Sequence, residues 1–480
     1  MRQLFLLLIT CSTLSCYSQK SDLQDRIKAV ENHLAPDLVF GDTLPQWNLQ
    51  KQMEAYGVNG LTIAVIKDYQ LDWAKGYGWA DLEEKRPVTV NTRFQAASIS
   101  KSINSLALLK LVEQGKIDLG TDINKYLQSW QFPYDTVSKN KKITLANLLS
   151  HTAGISVHGF RGYTMVEERP AVVQILDGIK PANSQAVRSL FEPGLKFQYS
   201  GGGTTITQLL LTSITGQRYE EYMQQEVLKP MGMSNSFFTQ PPVAGTPELA
   251  TAYTNGKPVN GKYHVYPEQA AAGLWTTPAD LSKYIIETQL AYKNKSAKVL
   301  NHASTQKRLT PYIDSNAALG VFIVKKGADR YFNHNGGNEG FLCTSYGSLE
   351  GGNGVVIMIN ADKFSIISEV LNSVARVYGW KDFYKPVFKP VYYPSKDTLA
   401  KYTGNYLLFK DTISIKFCGE TLCVWQNGQP AAGLKLVFTS STECSISEIP
   451  NASIRMLFKE GKTSSFELSQ GGKFIANKLD

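Results

Sequence analysis

The feature that most constrains the fold is the segment Phe94–Leu111, FQAASISKSINSLALLKL. It predicts a helix whose apolar residues fall on nearly all sides rather than along one stripe. Such a helix has no face suited to water, so the rest of the chain must fold around it. At its start, Ser98 and Lys101 lie three residues apart, and therefore one turn apart on the same face.

The pairing of Ser98 with Lys101 is a candidate catalytic feature. Burial disfavours the charged form of a lysine, and a lysine held beside a hydroxyl can activate a serine without a histidine. The alternative interpretation is an ordinary helix start with a capping serine. The same Ser-x-x-Lys motif occurs twice more, in polar stretches where the lysine stays solvated: Ser138/Lys141 and Ser304/Lys307. We interpret both of these as chance.

Composition and charge indicate a globular chain without a nucleic-acid partner. Of the 480 residues, 43% are hydrophobic and 19% are charged, which allows two or three domains with a sizeable core. The formal net charge is +9, but the lysines and arginines are scattered among acids and form no basic helix. We therefore expect no nucleic-acid partner and interpret the charge as that of a mildly basic secreted protein.

The histidines and cysteines predict no metal site and no cofactor. Four histidines show no ligand spacing: His33, His158, His264 and His302. His151 is interpreted as a structural turn residue. Cys418 and Cys423 flank a Gly-Glu-Thr turn, and either a disulfide across a hairpin or two buried free thiols would fit them.

The N-terminal sequence MRQLFLLLITCSTLSCYSQK predicts a secretory signal peptide over residues 1–19. Its apolar run is too short to span a membrane as a mature helix. Cleavage before Cys16 is the alternative, and it would leave a lipid-anchored protein of the cell envelope. We therefore expect a secreted or periplasmic protein whose only membrane contact would be a lipid at Cys16.

The order of elements predicts two domains. In residues 20–383, strands at Gly60–Val65 and Tyr69–Trp79 and several late strands flank a helical middle, so one antiparallel sheet is expected to draw strands from both ends of an α+β domain. A proline-spaced linker follows at 384–397. Residues 398–480 alternate apolar and polar side chains over short runs, which predicts an all-β sandwich or small barrel.

Several motifs complete the picture, and they stand in this order: AASISKSI, LLSHTAG, FQYSGGG, AAGLWTTPADL and HNGGNEGF. With them the chain resembles the serine β-lactamase and penicillin-binding protein family, in its class C-like branch, which also contains D,D-peptidases, D-aminopeptidases and esterases. The likeness covers roughly residues 45–380. It implies a β-lactamase/transpeptidase-like fold, with an antiparallel sheet flanked by helices and a helical subdomain.

The resemblance also implies roles for single residues. Ser98 would be the nucleophile that forms an acyl-enzyme, and Lys101 and Tyr199 would share the proton transfers. The backbone N–H groups of Ser98 and Gly337 would form the oxyanion hole. The substrate-binding residues implied are Gly201, His334, Asn335 and Gly336.

Two of these assignments have plainer alternatives. Tyr199 could be a core tyrosine beside a glycine turn, and His334 a surface histidine before a turn. Tyr-x-Asn triplets occur elsewhere, at 253–255 and 292–294, but neither adjoins a glycine-rich turn that opens a helix, which favours Tyr199. The chain has no Gly-x-Ser-x-Gly motif, which disfavours an α/β-hydrolase.

Two departures from the family pattern bear on the substrate. Gly201 stands where many members carry asparagine, and His334 stands where β-lactamases carry a lysine that attracts the substrate carboxylate. A histidine is mostly uncharged at neutral pH. We therefore expect a serine hydrolase acting on amide or ester bonds of D-amino acid peptides, β-lactam-like compounds or small esters, with peptidase or esterase favoured. The alternatives are a true class C-like β-lactamase and a non-catalytic protein that binds cell-wall fragments.

Overall fold

The computed structural model describes residues 22–427, 433–447, 449 and 452–479. The predicted signal peptide and Cys16 lie outside these residues. Within them, no helix is both long and apolar enough to cross a membrane.

The chain divides into two compact units. One contains the described residues up to Glu31 together with Asn48–Phe383, and the other contains Asn32–Trp47 and the chain from Tyr384 onward. The segment 32–47 thus groups with the C-terminal region, whereas the predicted boundary near 384 placed it with the first domain. The reason lies within the predicted linker, where Val387–Lys389 pairs in parallel with Leu38–Phe40.

The first unit is rich in helices. They are 22–32, Leu49–Tyr56, Ile99–Glu113, Leu145–Leu149, Val172–Asp177, Gly201–Thr215, Tyr219–Met223, Gln269–Ala272, Pro278–Tyr292, His302–Arg308 and Phe364–Val377. Two short 3-10 turns, Ile123–Lys125 and Thr136–Ser138, and a π-helical turn, Gln224–Leu228, complete the helical part. Two short strand pairs lie among them: Phe94–Gln95 with Trp275–Thr276, and Tyr253–Thr254 with Lys257–Pro258.

A seven-stranded antiparallel sheet forms the centre of the first unit, and it draws strands from both ends of the domain as predicted. From one edge to the other its strands are Arg86–Pro87, Gln70–Asp81, Gly60–Lys67, Gly354–Ile359, Phe341–Ser348, Asp329–Asn338 and Phe322–Lys326. Because successive side chains point to opposite faces, Phe332 packs on Tyr284 of one helix while Tyr331 packs on Trp380 beyond another. The sheet is therefore covered on both faces.

The helix Ile99–Glu113, called the serine helix below, is buried almost all round, as its sequence predicts. Only Lys110, Val112 and Glu113 are not buried. Several of its interior polar groups have partners, since the Asn104 amide donates to Thr207 Oγ1 at 2.8 Å and Ser105 Oγ accepts from Arg308 Nε at 3.0 Å, whereas Ser102 Oγ has none among the described residues. Satisfied polar groups allow a buried helix to keep residues other than hydrocarbons.

The C-terminal unit contains a closed eight-stranded barrel, which resolves the predicted choice between sandwich and barrel. Its strands are Gly404–Leu408, Asp411–Cys418, Thr421–Gln426, Leu434–Phe438, Glu443–Ile446, Ser453–Lys459, Lys462–Ser469 and Lys473–Lys478. The first strand pairs with the last, which removes both free edges. A short helix, Lys396–Tyr402, precedes the barrel, and Cys418 and Cys423 form a disulfide between neighbouring strands.

Candidate active site

Ser98 is presented at the end of a strained turn. The short strand Phe94–Gln95 is fixed by its pairing with Trp275–Thr276, and Ala97 then adopts φ +47°, a conformation that costs a non-glycine residue free energy. Ser98 occupies the N-cap position of the serine helix, but its side chain makes no capping hydrogen bond. The Ser98 hydroxyl is therefore not used to cap the helix and is available for other contacts.

Lys101 lies directly against that hydroxyl. Its Nζ donates to Ser98 Oγ at 2.9 Å and to the carbonyl oxygen of Ala271 at 2.7 Å, and the residue is only 4% exposed. The second hydrogen bond fixes the amine, because Ala271 belongs to the short helix Gln269–Ala272. The AAGLW motif thus supplies a backbone acceptor for the lysine, a role that the sequence did not reveal.

Tyr199 lies beside the same amine, just ahead of the helix Gly201–Thr215, called the tyrosine helix. Ser200 caps this helix by accepting from the Gly203 N–H, and so fixes where the tyrosine leaves the loop. Lys101 Nζ is 5.2 Å from the centroid of the Tyr199 ring. The structure thus brings Ser98, Lys101 and Tyr199 together from distant parts of the sequence.

Two histidines that the sequence analysis set aside contact Tyr199. The ring centroid of His151 is 4.2 Å from that of Tyr199, and the centroid of His158 is 4.9 Å away. His151 also accepts the Ser200 N–H at Nδ1 over 3.2 Å, and its backbone adopts φ +56°. Burial, followed by the positive charge of Lys101, lowers the pKa of His151 well below its usual value, so this ring is a neutral wall for the tyrosine.

The strand Asp329–Asn338, called the histidine strand, forms the opposite side of the site. Gly336 permits its close approach, since a Cβ there would lie 2.3 Å from the carbonyl oxygen of Ala96 and 2.5 Å from Cys343 Sγ. This contact brings the strand next to the turn that carries Ser98. Gly337 then lines the same cavity as Ser98.

His334 is a buried and neutral member of the histidine strand. Its Nδ1 donates to the carbonyl oxygen of Asn335 at 2.6 Å, and the residue is 4% exposed. Burial first, and then the charge of Lys101, lowers the pKa of His334 to about 3. Among the described residues Nε2 has no hydrogen-bond partner, so it remains a free acceptor.

These side chains enclose a cavity of about 600 Å³. It is lined by Ser98, Lys101, His158, Gly159, Phe160, Phe197, Tyr199, Ala271, Ala272, Phe322, Asn333, His334, Asn335, Gly337 and Asn338. The lining includes Asn335, which is exposed and whose Oδ1 accepts from Thr344 Oγ1 at 2.6 Å. In the described part of the chain no group of three or more histidine, cysteine or acidic residues is arranged to hold a metal ion.

Two residues predicted to bind substrate do not line this cavity. Gly336 lies behind it, against Ala96. Gly201 is buried under the preceding loop, where its N–H donates to the His158 carbonyl at 3.0 Å and a Cβ would lie 3.0 Å from the Phe160 ring. Both glycines therefore serve close packing, and the loop around His158 fills the space that a side chain at 201 would occupy.

Glu268 is a further residue that sequence reasoning missed. It is fully buried directly ahead of the helix Gln269–Ala272, and neither carboxyl oxygen has a hydrogen-bond partner within the described ranges. Burial raises the pKa of Glu268 to about 8. A protonated acid thus adjoins the helix that holds Lys101.

The sequence matches one family model and several curated relatives. The family model described as Beta-lactamase matches residues 47–366. Protein flp of Staphylococcus aureus (strain MRSA252) is 27% identical over 208 residues, which are 42% of this chain and only 38% of that protein. A Bacillus subtilis protein named as penicillin-binding protein PbpX is 25% identical over 333 residues, covering 68% of this chain and 76% of that protein.

Solved structures share the fold at low identity. The octameric penicillin-binding protein homologue from Pyrococcus abyssi matches with a TM-score of 0.58 and 19% identity, covering 89% of this chain and 98% of that one. The D-amino acid amidase from Ochrobactrum anthropi matches with a TM-score of 0.57 and 17% identity, covering 74% and 99%. At these identities the likeness establishes the architecture alone.

Proposed function

The chain belongs to the beta-lactamase family, and on that premise we propose that it is a serine hydrolase that cleaves amide or ester bonds through an acyl-enzyme on Ser98. The observation that carries this proposal is the 2.9 Å hydrogen bond between Lys101 Nζ and Ser98 Oγ at the wall of a substrate-sized cavity. The hydroxyl is partly accessible and has the strained turn behind it, as a nucleophile requires.

The proposed first step is attack of Ser98 Oγ on the carbonyl carbon of the substrate. The serine proton passes to Tyr199 or Lys101 in its basic form and from there to the departing nitrogen or oxygen, so that the C–N or C–O bond breaks and an ester to Ser98 remains. A water molecule then adds to this ester, transfers a proton by the same route and releases the acid and the free serine.

The neighbours of Tyr199 support its part in these transfers. Lys101 Nζ lies 5.2 Å from the centroid of the Tyr199 ring, so the two groups are close enough to share the transfers, and the buried, neutral His151 adds no positive charge beside them. The backbone N–H groups of Ser98 and Gly337 would stabilise the charge on the carbonyl oxygen; loss of one such donor typically costs on the order of 100-fold or more in rate.

Within this class, peptidase or esterase activity is favoured over β-lactamase activity. The neutral His334 offers no positive charge to the carboxylate that β-lactams carry. A side chain at position 201 would press on the Phe160 ring, since its Cβ would lie 3.0 Å away, so this position is not shaped for the asparagine amide of related sites. The proposed setting is the cell exterior or periplasm, as the sequence of residues 1–19 indicates, with a small molecule or short peptide as substrate and no nucleic-acid partner.

The test is steady-state turnover of 4-nitrophenyl butyrate, a D-alanyl-D-alanine peptide and a penicillin by the wild-type protein and two serine variants. Ser98→Ala should abolish every activity that the wild type shows. Ser304→Ala, in the chance Ser-x-x-Lys motif Ser304/Lys307, should retain it and serves as the matched control. Turnover that survives in Ser98→Ala would contradict the proposed nucleophile, and absence of turnover in the wild type would favour the non-catalytic binding protein.

A further inference from the structure

We propose that the Ser98 cavity selects substrates that carry no formal charge near the reacting carbonyl, so that neutral esters and amides are cleaved in preference to those with a free carboxylate or ammonium. This inference rests on the proposed function and narrows its substrate class. It follows from the charges of the lining, from the hydrogen bonds of the one charged residue in it, and from the state of His334.

The lining contains almost no charge. Among the described residues that line the cavity there is no aspartate, glutamate or arginine, and Lys101 is the only one with a formally charged side chain at neutral pH. A substrate ammonium would therefore find no carboxylate to pair with. A charge moved from water into such a site without a partner carries a large desolvation penalty.

Lys101 is not available to a substrate carboxylate. Its Nζ already donates to Ser98 Oγ and to the Ala271 carbonyl oxygen, so a carboxylate that reached it would lie where the reacting carbonyl must be. A bound carboxylate in that position would inhibit the reaction rather than assist it. The one charge in the cavity thus serves the chemistry and not the selection of substrates.

His334 does not supply a second positive charge. Its Nδ1–H is used by the Asn335 carbonyl, and Nε2 is an unpartnered acceptor within the described part of the chain. Burial keeps the ring neutral throughout the physiological range. This position therefore supplies neither a positive charge nor a free N–H donor to a substrate carboxylate, because Nδ1–H is already used and Nε2 is buried and unprotonated.

The remaining lining suits uncharged groups. Three phenylalanines supply apolar surface and three asparagines supply neutral polar atoms: Phe160, Phe197, Phe322, Asn333, Asn335 and Asn338. The Asn335 side chain is exposed and uses its Oδ1 for Thr344, which leaves the amide N–H groups to donate to a substrate oxygen. An apolar acyl group and a neutral carbonyl are matched by this set.

The experiment compares three nitrophenyl esters that share a four-carbon acyl chain, each corrected for spontaneous hydrolysis: 4-nitrophenyl butyrate, 4-nitrophenyl hemisuccinate and 4-nitrophenyl 4-trimethylammoniobutyrate. The wild-type protein should show a kcat/KM for the butyrate that is roughly tenfold or more above that for either charged ester, since tenfold corresponds to a modest part of an unpaired-charge penalty. This comparison needs no variant, so it does not depend on the folding of any mutant.

Two substitutions should then reverse the preference in opposite directions. His334→Lys should raise kcat/KM for the hemisuccinate relative to the butyrate. Asn335→Asp keeps the acceptor for Thr344, adds a carboxylate on an exposed position and should raise kcat/KM for the ammonium ester. His302→Lys makes the same exchange outside the cavity and should leave the ratios of the three esters as in the wild type.

The outcomes separate this inference from the function on which it rests. If the wild type cleaves a charged ester as well as the butyrate, in a reaction that Ser98→Ala abolishes, the charge selection is wrong and the serine hydrolase stands. Unchanged ester ratios in both His334→Lys and Asn335→Asp, when the two variants fold, would equally overturn it. If no ester is turned over in a Ser98-dependent reaction, the inference falls together with the proposed function.

Discussion

The same four-residue motif, Ser-x-x-Lys, lies at the N-terminal part of two helices of this protein with opposite results. At the serine helix Lys101 is 4% exposed and donates to Ser98 Oγ at 2.9 Å. In the helix His302–Arg308, Lys307 is exposed, and the Ser304 N–H is simply capped by the Asn301 side chain at 2.9 Å. Equal spacing thus produces a reactive pair only where the surroundings bury the lysine and fix its second hydrogen bond.

The third Ser-x-x-Lys motif, Ser138/Lys141, gives the same result. Lys141 is exposed and pairs with Glu192 at 2.9 Å instead of with Ser138. An acid within reach of a solvated lysine binds it in preference to a hydroxyl, because opposite charges attract. The chemistry of the site therefore depends on what excludes such partners from Lys101.

The largest of the effects that test this comparison should come from replacing each of the two lysines by methionine. Lys101→Met retains much of the buried volume but removes the amine, and we expect kcat/KM for 4-nitrophenyl butyrate to fall on the order of 10³-fold, in the range that general acid–base groups contribute. Lys307→Met should leave kcat/KM unchanged. Equal activity in the two variants would break the comparison.

The tyrosines allow a second comparison of the same kind, between Tyr199 in the site and Tyr292, which belongs to a Tyr-x-Asn triplet outside it. Tyr199→Phe should lower kcat on the order of 10²-fold, since it removes the hydroxyl but keeps the ring that His151 contacts. Tyr292→Phe removes only a hydroxyl that accepts from Arg330 at the surface, and its kinetics should match the wild type. If Tyr199→Phe kept full activity, the tyrosine would have no part in the proton transfers.

The buried Glu268, next to the helix that holds Lys101, makes the stability of the folded protein depend on pH. Because the pKa of Glu268 is raised to about 8, the folded state keeps a proton that the unfolded state loses above its ordinary pKa of 4.5. The contribution of Glu268 is therefore fully present below that pKa and is lost as the pH rises through about 8.

Glu268→Gln should remove this dependence. Thermal unfolding should be measured at pH 5 and pH 8. Between these two pH values, the free energy of unfolding of the variant should rise relative to that of the wild type by on the order of 3 kcal/mol, at about 1.4 kcal/mol for each pH unit. The exposed Glu83→Gln is the control and should change neither melting temperature. A wild type as stable at pH 8 as at pH 5, with no gain from the substitution, would contradict the buried protonated acid.

A smaller loss is expected where the histidine strand approaches Ser98. Gly336→Ala places a Cβ against the backbone at Ala96, and such overpacking typically costs about 1–3 kcal/mol. Denaturant unfolding should show this loss, together with a lower kcat, because the strand must move away from Ser98. Gly120→Ala, whose Cβ would meet no atom closer than 3.4 Å, should affect neither.

Much of the fold was accessible from the sequence because local patterns determine it. The all-round apolar helix predicted a central element, and the strand patterns predicted a sheet fed from both ends of the domain. The apolar residues just before Phe322–Lys326 do not belong to that strand, because Gly320 adopts φ +85° in a turn where the Ala318 N–H donates to the Val321 carbonyl. Strand alternation could not choose between sandwich and barrel, since it does not tell whether the first and last strands meet.

The site was predictable where motifs carry it and not where tertiary contacts do. Ser98, Lys101, Tyr199 and His334 were found through spacing and family likeness. His151 and His158 were not, because their importance lies in packing against Tyr199, which is more than forty positions from His151 and has no local pattern linking it to either. The motif LLSHTAG, which contains His151, was the only sequence feature that pointed to this contact.

The most direct test of the central claim is covalent labelling by a fluorophosphonate, read by intact-protein mass spectrometry and peptide mapping. Wild type and Ser304→Ala should each gain one adduct, located on Ser98, and Ser98→Ala should gain none while its melting temperature stays within a few degrees of the wild type. Labelling of Ser98→Ala at the wild-type rate, or an adduct mapped to Ser304 or Ser138, would contradict the account.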